Sequence, residues 1–254
     1  MAQTLADPHR IDDYVLIECV ARTAVATMYR ATGPSGVVAL KCYDGAAAPE
    51  SGPATTALRE LRHPAVARLL EIGVLDGGGY FLATEWIEGT PLSDMLDKPS
   101  SWESIRRIVG AIGSGLGALH ARGVVHRDLK PSNVIVPSHQ TCAAVIVDAS
   151  PAATRGTSPY AAPERVAGLA VDGRADLYAL GVIMFQLLAG AFPADEPSLP
   201  RDIPRVADAL CTWLLAPDRD ARVPNAHVLA VTLGAATSEL GALCGVTVDA
   251  RFPA

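Results

Sequence analysis

Two residue types are nearly missing from this 254-residue chain: lysine occurs only as Lys41, Lys98 and Lys130, against 18 arginines, and asparagine only as Asn133 and Asn225. A type avoided elsewhere is informative where it does appear. Cysteine is sparse as well. Cys19, Cys42, Cys142, Cys211 and Cys244 are odd in number, scattered and without a CxxC pair. They read as small core residues in a reducing compartment, not as a secreted disulfide framework. Positive charge is in deficit, with a formal net charge of −6, which argues against nucleic-acid or anionic-membrane binding, since both need a basic face. No apolar run has membrane length: the longest candidate, Ala179 to Phe185, stops at Gln186. The polar, acidic stretch from Met1 to Tyr14 does not read as a signal peptide. The expectation is a soluble, cytoplasmic, globular protein.

What is present is enough chain for a sizeable core, with 50% hydrophobic and 19% charged residues, so folding needs no disulfide or metal staple. From Tyr14 to Glu88 the pattern is mostly strands. Tyr14 to Ile17 is a short apolar run, Ala24 to Ala31 alternates loosely, and a Gly33-Pro-Ser-Gly36 turn precedes Val37 to Leu40. Pro53 to Arg62 predicts a short helix, with Ala54, Leu58 and Leu61 on one face. Val66 to Val74 and Tyr80 to Ile87 predict strands flanking the turn Asp76-Gly-Gly-Gly79. The remainder is helical: Ser101 to Ala121 behind a serine cap, then about Asp176–Ala189, Ile203–Leu215 and Asn225–Leu243. Gly110, Gly113, Gly115 and Gly117 weaken the first of these. A strand-rich first third and a helical remainder predict an α+β fold in two lobes. The lobes are drawn as 14–88 and 89–254, behind a leader of residues 1–13.

The segment His126-Arg-Asp-Leu-Lys-Pro-Ser-Asn133 carries the chemistry. It resembles the catalytic loop H-R-D-L-x-x-x-N of the eukaryotic-type protein kinases, in the D-L-K-P-x-N form of the Ser/Thr enzymes. The resemblance implies the bilobal kinase fold and transfer of the γ-phosphoryl of ATP, with Mg²⁺, to a protein hydroxyl. In that scheme Asp128 accepts the hydroxyl proton, Lys130 neutralises the transferring group, and Asn133 holds a metal ion. One of the three lysines and one of the two asparagines fall in this one turn.

Further landmarks follow in the family's order. Val38-Ala-Leu-Lys41 resembles the V-A-I-K strand, whose lysine contacts the α/β-phosphates. His63-Pro64 matches the pair after the first-lobe helix. Thr84-Glu-Trp-Ile87 resembles the hinge, so Glu85 and Ile87 face adenine, with Val20, Met28 and Ala39 as the roof of that pocket and Ile135 as its floor. Asp148 matches the metal-binding Asp of D-F-G. Gly156-Thr-Ser-Pro-Tyr-Ala-Ala-Pro-Glu164 resembles G-T-x-x-Y-x-A-P-E, which gives Thr157 a place beside the catalytic Asp and Lys, and pairs Glu164 with the late Arg222. Asp176 matches the buried Asp that braces the catalytic loop from below, a structural role, and His126 and Arg127 of that loop are structural as well. Arg127 is a receiver for a phosphate on Thr154, Thr157 or Ser158.

Three positions depart from the pattern. The G-x-G-x-x-G loop falls on Ala21, Thr23 and Ala26, with no glycine to permit close approach to phosphate. The helix glutamate that pairs with the strand lysine falls on Ala54, leaving Glu50 in the preceding loop as a weak substitute and Glu60 as a solvated charge. D-F-G reads Asp148-Ala-Ser150, which puts a methyl where a benzyl completes a stack with Leu58, Leu69 and His126. Two readings follow: a Ser/Thr protein kinase, and a pseudokinase that uses the fold as a binding or scaffold module. Protein substrate, regulatory partner and oligomeric state are not readable from the residues.

Overall fold

The computed structural model describes residues 10–50, 52–97, 100–138, 143–150, 158–193, 199 and 203–235. Alternation in the first third produces an antiparallel sheet of six strands: β1 (Arg10–Ile11), β2 (Tyr14–Arg22), β3 (Thr27–Gly33), β4 (Gly36–Asp44), β5 (Leu69–Val74) and β6 (Gly79–Glu85), in the order β1-β2-β3-β4-β6-β5. The sheet begins earlier than the expected leader allows, because Arg10 pairs with Val15 and Ile11 with Tyr14. One face closes over Tyr14, Leu40 and Phe81, with the Tyr14 and Phe81 rings edge to face at 5.6 Å. Helix α1 (Pro53–Glu60) lies between β4 and β5 and buries Thr55 and Leu58.

The second lobe is built on helices. α2 (Trp102–His120) starts at Ser101, whose hydroxyl accepts the Ser104 amide, the capping arrangement that satisfies an otherwise orphaned donor. α4 (Gly173–Ala189) starts ahead of the expected Asp176, because the Asp172 side chain caps it by accepting the Arg174 amide. α3 (Pro163–Val166), α5 (Arg205–Leu214) and α6 (Ala226–Ala235) complete the helices. Asn225 Oδ1 accepts the Val228 amide at the head of α6, and the expected continuation to Leu243 lies outside the described residues. The core runs through Ile112, Leu116 and Leu119 of α2 and Leu177, Leu180 and Ile183 of α4, all fully buried.

A three-stranded sheet, β7 (Gly89–Pro91), β8 (Val134–Pro137) and β9 (Val145–Ile146), underlies the junction of the lobes. The segment between α1 and β5 docks on it: the Ile146 amide donates to the Ala65 carbonyl at 2.8 Å and the Ala67 amide to the Ile146 carbonyl at 2.9 Å. Gly115 explains why α2 tolerates its glycines. A Cβ there would sit 2.8 Å from the Ala65 carbonyl oxygen and 3.0 Å from Ile146 Cδ1, so the missing side chain is what lets α2 support the inter-lobe strand.

That packing separates two substitutions that helix propensity alone would treat as equal. Gly110→Ala meets only Leu233 Cδ1, at 3.9 Å, and is expected to stabilise by up to ~1 kcal/mol. Gly115→Ala is expected to destabilise by about 1–2 kcal/mol, because overpacking against a bonded carbonyl outweighs the same propensity gain. Urea unfolding of the two variants decides it, and equal shifts would contradict the packing account.

Candidate active site

The turn from His126 to Asn133 is fixed from beneath. Asp176, 1% exposed, accepts the His126 amide with Oδ2 at 2.9 Å and the Arg127 amide with Oδ1 at 2.8 Å. His120 Nε2 lies 2.8 Å from the same Oδ2, and its ring packs on Gly173, where a Cβ would come within 2.6 Å. Arg127 sits at φ 66°, a left-handed conformation costly for a residue with a Cβ. It is held at both ends: Asp176 takes its amide, and Arg165 Nη1 donates to its carbonyl. The His126 ring joins the two halves of the site. Its Nδ1 accepts the Asp128 amide at 3.3 Å, so the neutral ring carries its proton on Nε2, which donates to the Val147 carbonyl at 3.2 Å.

Asp128 is brought together with Lys130, whose Nζ donates to Oδ2 at 2.7 Å, and with Asn133, whose Nδ2 donates to the Asp128 carbonyl at 2.8 Å and to Oδ2 at 3.4 Å. Strand pairing delivers the second acid. Val134 is registered with Ile146 and Ile135 with Val145, and the Val147 amide donates to the Asn133 carbonyl at 2.9 Å. Asp148 follows directly, at φ 63°, a conformation that aspartate adopts more readily than most residues. Its Oδ2 accepts from Lys41 Nζ across the cleft between the lobes. The strand lysine therefore has a carboxylate partner, and it is neither Glu50 nor Glu60, both of which are exposed. The Tyr43 ring also faces Lys41, with Nζ 5.4 Å from its centroid. The Tyr43 hydroxyl is pushed above the usual phenol range by burial first and then by Asp148 and Asp128.

The donor set suits a hard divalent ion. Asp148 offers a carboxylate, and Asn133, with its nitrogen turned to Asp128, offers its carbonyl oxygen. Among the described residues no three His, Cys, Asp or Glu side chains gather into a cage. That fits an ion shared between a few protein oxygens and a phosphate-bearing ligand better than a dedicated protein site.

Around the cleft, Val20 lies at a bulge of β2 and is 46% exposed. Met28 on β3 is registered with Lys41, and Ala39 on β4 with Thr84. Glu85 ends β6, its amide bonded to the Arg68 carbonyl at 2.9 Å. Ile87 is buried with Ala67 and Val145, with Ile135 packed against them. Leu58, Leu69 and Ala149 are all buried, in one continuous hydrophobic core. The β2–β3 turn is tied to itself: the Thr23 amide donates to the Ala26 carbonyl at 2.9 Å, while Thr23 Oγ1 accepts the Val25 and Ala26 amides at 3.4 and 3.1 Å. Thr157 and Thr154 lie outside the described residues.

Glu164 and Arg222 form a two-pronged pair, at 2.9 and 3.1 Å. Arg222 is fully buried and also donates to the carbonyls of Arg174 and Ala216, at 2.7 and 3.1 Å. Sequence reasoning did not find His120, Arg165, Tyr43 or the Thr23 turn. The signals available were an isolated histidine 56 positions from Asp176 and a tyrosine two residues beyond the strand lysine.

A family profile for the protein kinase domain matches residues 24–230. The chain is 32% identical over 235 residues to the serine/threonine-protein kinase pkn2 of Myxococcus xanthus, an alignment covering 77% of this chain and 28% of that protein. It is 31% identical over 267 residues to the serine/threonine-protein kinase PkaB of Streptomyces coelicolor, covering 89% and 63%. The chain thus spans less than two thirds of either relative. Among solved structures, the kinase domain of Mycobacterium tuberculosis PknI superimposes with a TM-score of 0.73 at 26% identity, over 91% of this chain and 99% of that one.

Burial pushes the Glu164 carboxyl up, but the bonds from Arg222 outweigh it and hold the group below its ordinary value of 4.5. A depressed carboxylate contributes stability above its unfolded-state value and loses it as pH falls through the folded-state one. Glu164→Gln is therefore expected to cost about 3 kcal/mol at neutral pH, where Arg222 is left buried without its counter-charge. The gap to wild type should narrow as pH drops below 4.5. Chemical denaturation as a function of pH tests this, and a pH-independent gap would count against the ion pair.

Proposed function

Because this chain belongs to the protein kinase family, we propose that it transfers the γ-phosphoryl of ATP, with Mg²⁺ as the divalent ion, to serine or threonine hydroxyls of a protein. The observation that carries the reading is the bonded set Asp128, Lys130 and Asn133 on one turn, closed across the cleft by Asp148 and Lys41. Asp128 Oδ2 is held by Lys130 and Asn133, which leaves Oδ1 to accept the hydroxyl proton. The hydroxyl oxygen forms its bond to phosphorus as the bond to the β-phosphate oxygen breaks, and ADP carries away the electron pair. Lys130 lies against the transferring group, and Lys41 turns from Asp148 to the α/β-phosphates. A Mg²⁺ held by Asp148 and Asn133 would neutralise charge developing on the phosphates. Val20, Met28, Ala39, Ile135, Glu85 and Ile87 enclose the adenine, and the resemblance assigns Thr157 to orienting Asp128 and Lys130.

The proposed catalytic unit is residues 14–254, with lobes meeting between 88 and 89, and β1 (Arg10–Ile11) adds an edge strand ahead of it. Three of its cysteines, Cys19, Cys42 and Cys211, are free thiols, which suits the reducing cytoplasm. No helix among the described residues is long and apolar enough to cross a membrane. The acidic balance favours a protein substrate over nucleic acid. A second reading, binding without turnover, is favoured by one observation: the Thr23 turn uses three amides internally that would otherwise face phosphate.

Transfer from radiolabelled ATP to the chain itself and to casein separates the two. The kinase reading expects Mg·ATP to raise the melting temperature and label to appear. Asp128→Asn is expected to lower the rate by about 10²–10⁴-fold, and Lys41→Ala by about 10²–10³-fold. Thermal stabilisation by Mg·ATP with no label in wild type would establish the scaffold reading instead.

A further inference from the structure

Lys41 and Tyr43 are two residues apart on β4 and so point to the same side of the sheet. The Lys41 ammonium lies 5.4 Å from the centroid of the Tyr43 ring, within reach of the negative face of that ring. The ring is itself immobilised. Tyr43 is registered directly opposite Tyr80 on β6, and the two rings stack at 4.6 Å with 10° between their planes. Helix α1 turns no acid inward: Ala54 packs against the core, while Glu60 at its end and Glu50 ahead of it are exposed. Among the described residues the carboxylate on Lys41 is that of Asp148, the residue proposed to take the metal ion.

A lysine whose carboxylate is claimed by a cation needs a second hold, and a ring face supplies one without competing for the metal. We propose that the Tyr43–Tyr80 stack is the positioning device for Lys41, standing in for a helix carboxylate and steering the ammonium toward the nucleotide phosphates. The proposal deepens the kinase reading and rests on it for its catalytic consequence, but not for the anchoring itself. Tyr43 is a positioning residue, acting through Lys41 and touching no reacting atom. The hold comes from the face of the ring, so the hydroxyl is dispensable and phenylalanine is an adequate replacement.

With only three lysines in the chain, carbon-13 labelling of lysine gives few enough side-chain signals to follow Lys41 directly, assigned by its loss in Lys41→Arg. In wild type and in Tyr43→Phe, the Lys41 ε-protons are expected upfield, shifted by the ring current. In Tyr43→Leu they are expected at the ordinary position, while a cooperative melt shows that the chain is folded. Calorimetric titration with Mg·ATP is expected to show affinity weakened about 3- to 30-fold in Tyr43→Leu, the range of a cation–ring contact, and near wild type in Tyr43→Phe. The KM for ATP follows the same order, with kcat little changed. An unshifted Lys41 signal in wild type, or a Tyr43→Phe variant as weak as Tyr43→Leu, overturns the proposal. If wild type itself transfers no phosphate, the kinase reading falls alone, and the lysine signals still decide whether the ring holds Lys41.

Discussion

A buried carboxylate holds the catalytic turn in place. Asp176 is cut off from solvent and accepts two consecutive backbone amides, those of His126 and Arg127, with His120 against its remaining lone pairs. An ionised acid in such a place is costly unless its lone pairs are occupied, and here they are. Occupying them forces two amides to converge, and that convergence goes with the left-handed backbone at Arg127. The chain leaves this bend with Asp128, Lys130 and Asn133 bonded to one another. Strain at a site persists only where its surroundings over-determine it. The Arg165 bond to the Arg127 carbonyl and the packing of His120 on Gly173 are that over-determination.

The same accounting applies to charge. Of the chain's three lysines, two sit in the cleft, and each is matched to one of its two acids: Lys130 to Asp128 and Lys41 to Asp148. The two ammonium charges are thus matched from within, by one pair inside the second lobe and one that bridges the lobes. In the proposed reaction a nucleotide with its cation would exchange these pairs instead of adding to them. Phosphate oxygens would meet the ammonium groups, and the cation would be held by the carboxylate and the Asn133 oxygen, so that little net charge is desolvated. Paired exchange of this kind suits a group-transfer site, because electrostatic complementarity is present before the ligand arrives.

The fold was largely legible because period and composition change together near Glu88, and local chemistry marked many element boundaries: Ser101 heads α2 and Pro53 opens α1. The octet from His126 to Asn133 could be read because its residues act on one another over a few positions. What escaped was whatever depends on a side chain meeting another element. Asp148 as the partner of Lys41 spans 107 positions, and nothing local distinguishes it from Glu50. His120 is separated by 56 positions from the acid it touches. Gly115 looked like a defect in a helix, since its use appears only once the Ala65 carbonyl is seen pressing on it. Tyr43 drew no reading, because Tyr80 becomes its neighbour only once β4 pairs with β6.

The loop without glycine and the helix whose glutamate is exposed, away from Lys41, belong to one arrangement. A glycine-rich loop holds phosphate from above with backbone amides; here Thr23 draws three of those amides into its own turn. In the proposed function, support for a triphosphate would then come from below and behind, from Lys41, Lys130 and the oxygens of Asp148 and Asn133. That places more demand on where Lys41 points. A helix carboxylate would fix the lysine only while the helix stays docked. A stacked ring on the lysine's own strand fixes it through the sheet, whichever way α1 moves. Loss of the upper clamp and replacement of the rear anchor are compatible because, in the proposed arrangement, Lys41 is aimed by its own sheet, through β4, β6 and the tyrosines they carry, while Lys130, Asn133 and Asp148 meet the phosphates from the other lobe.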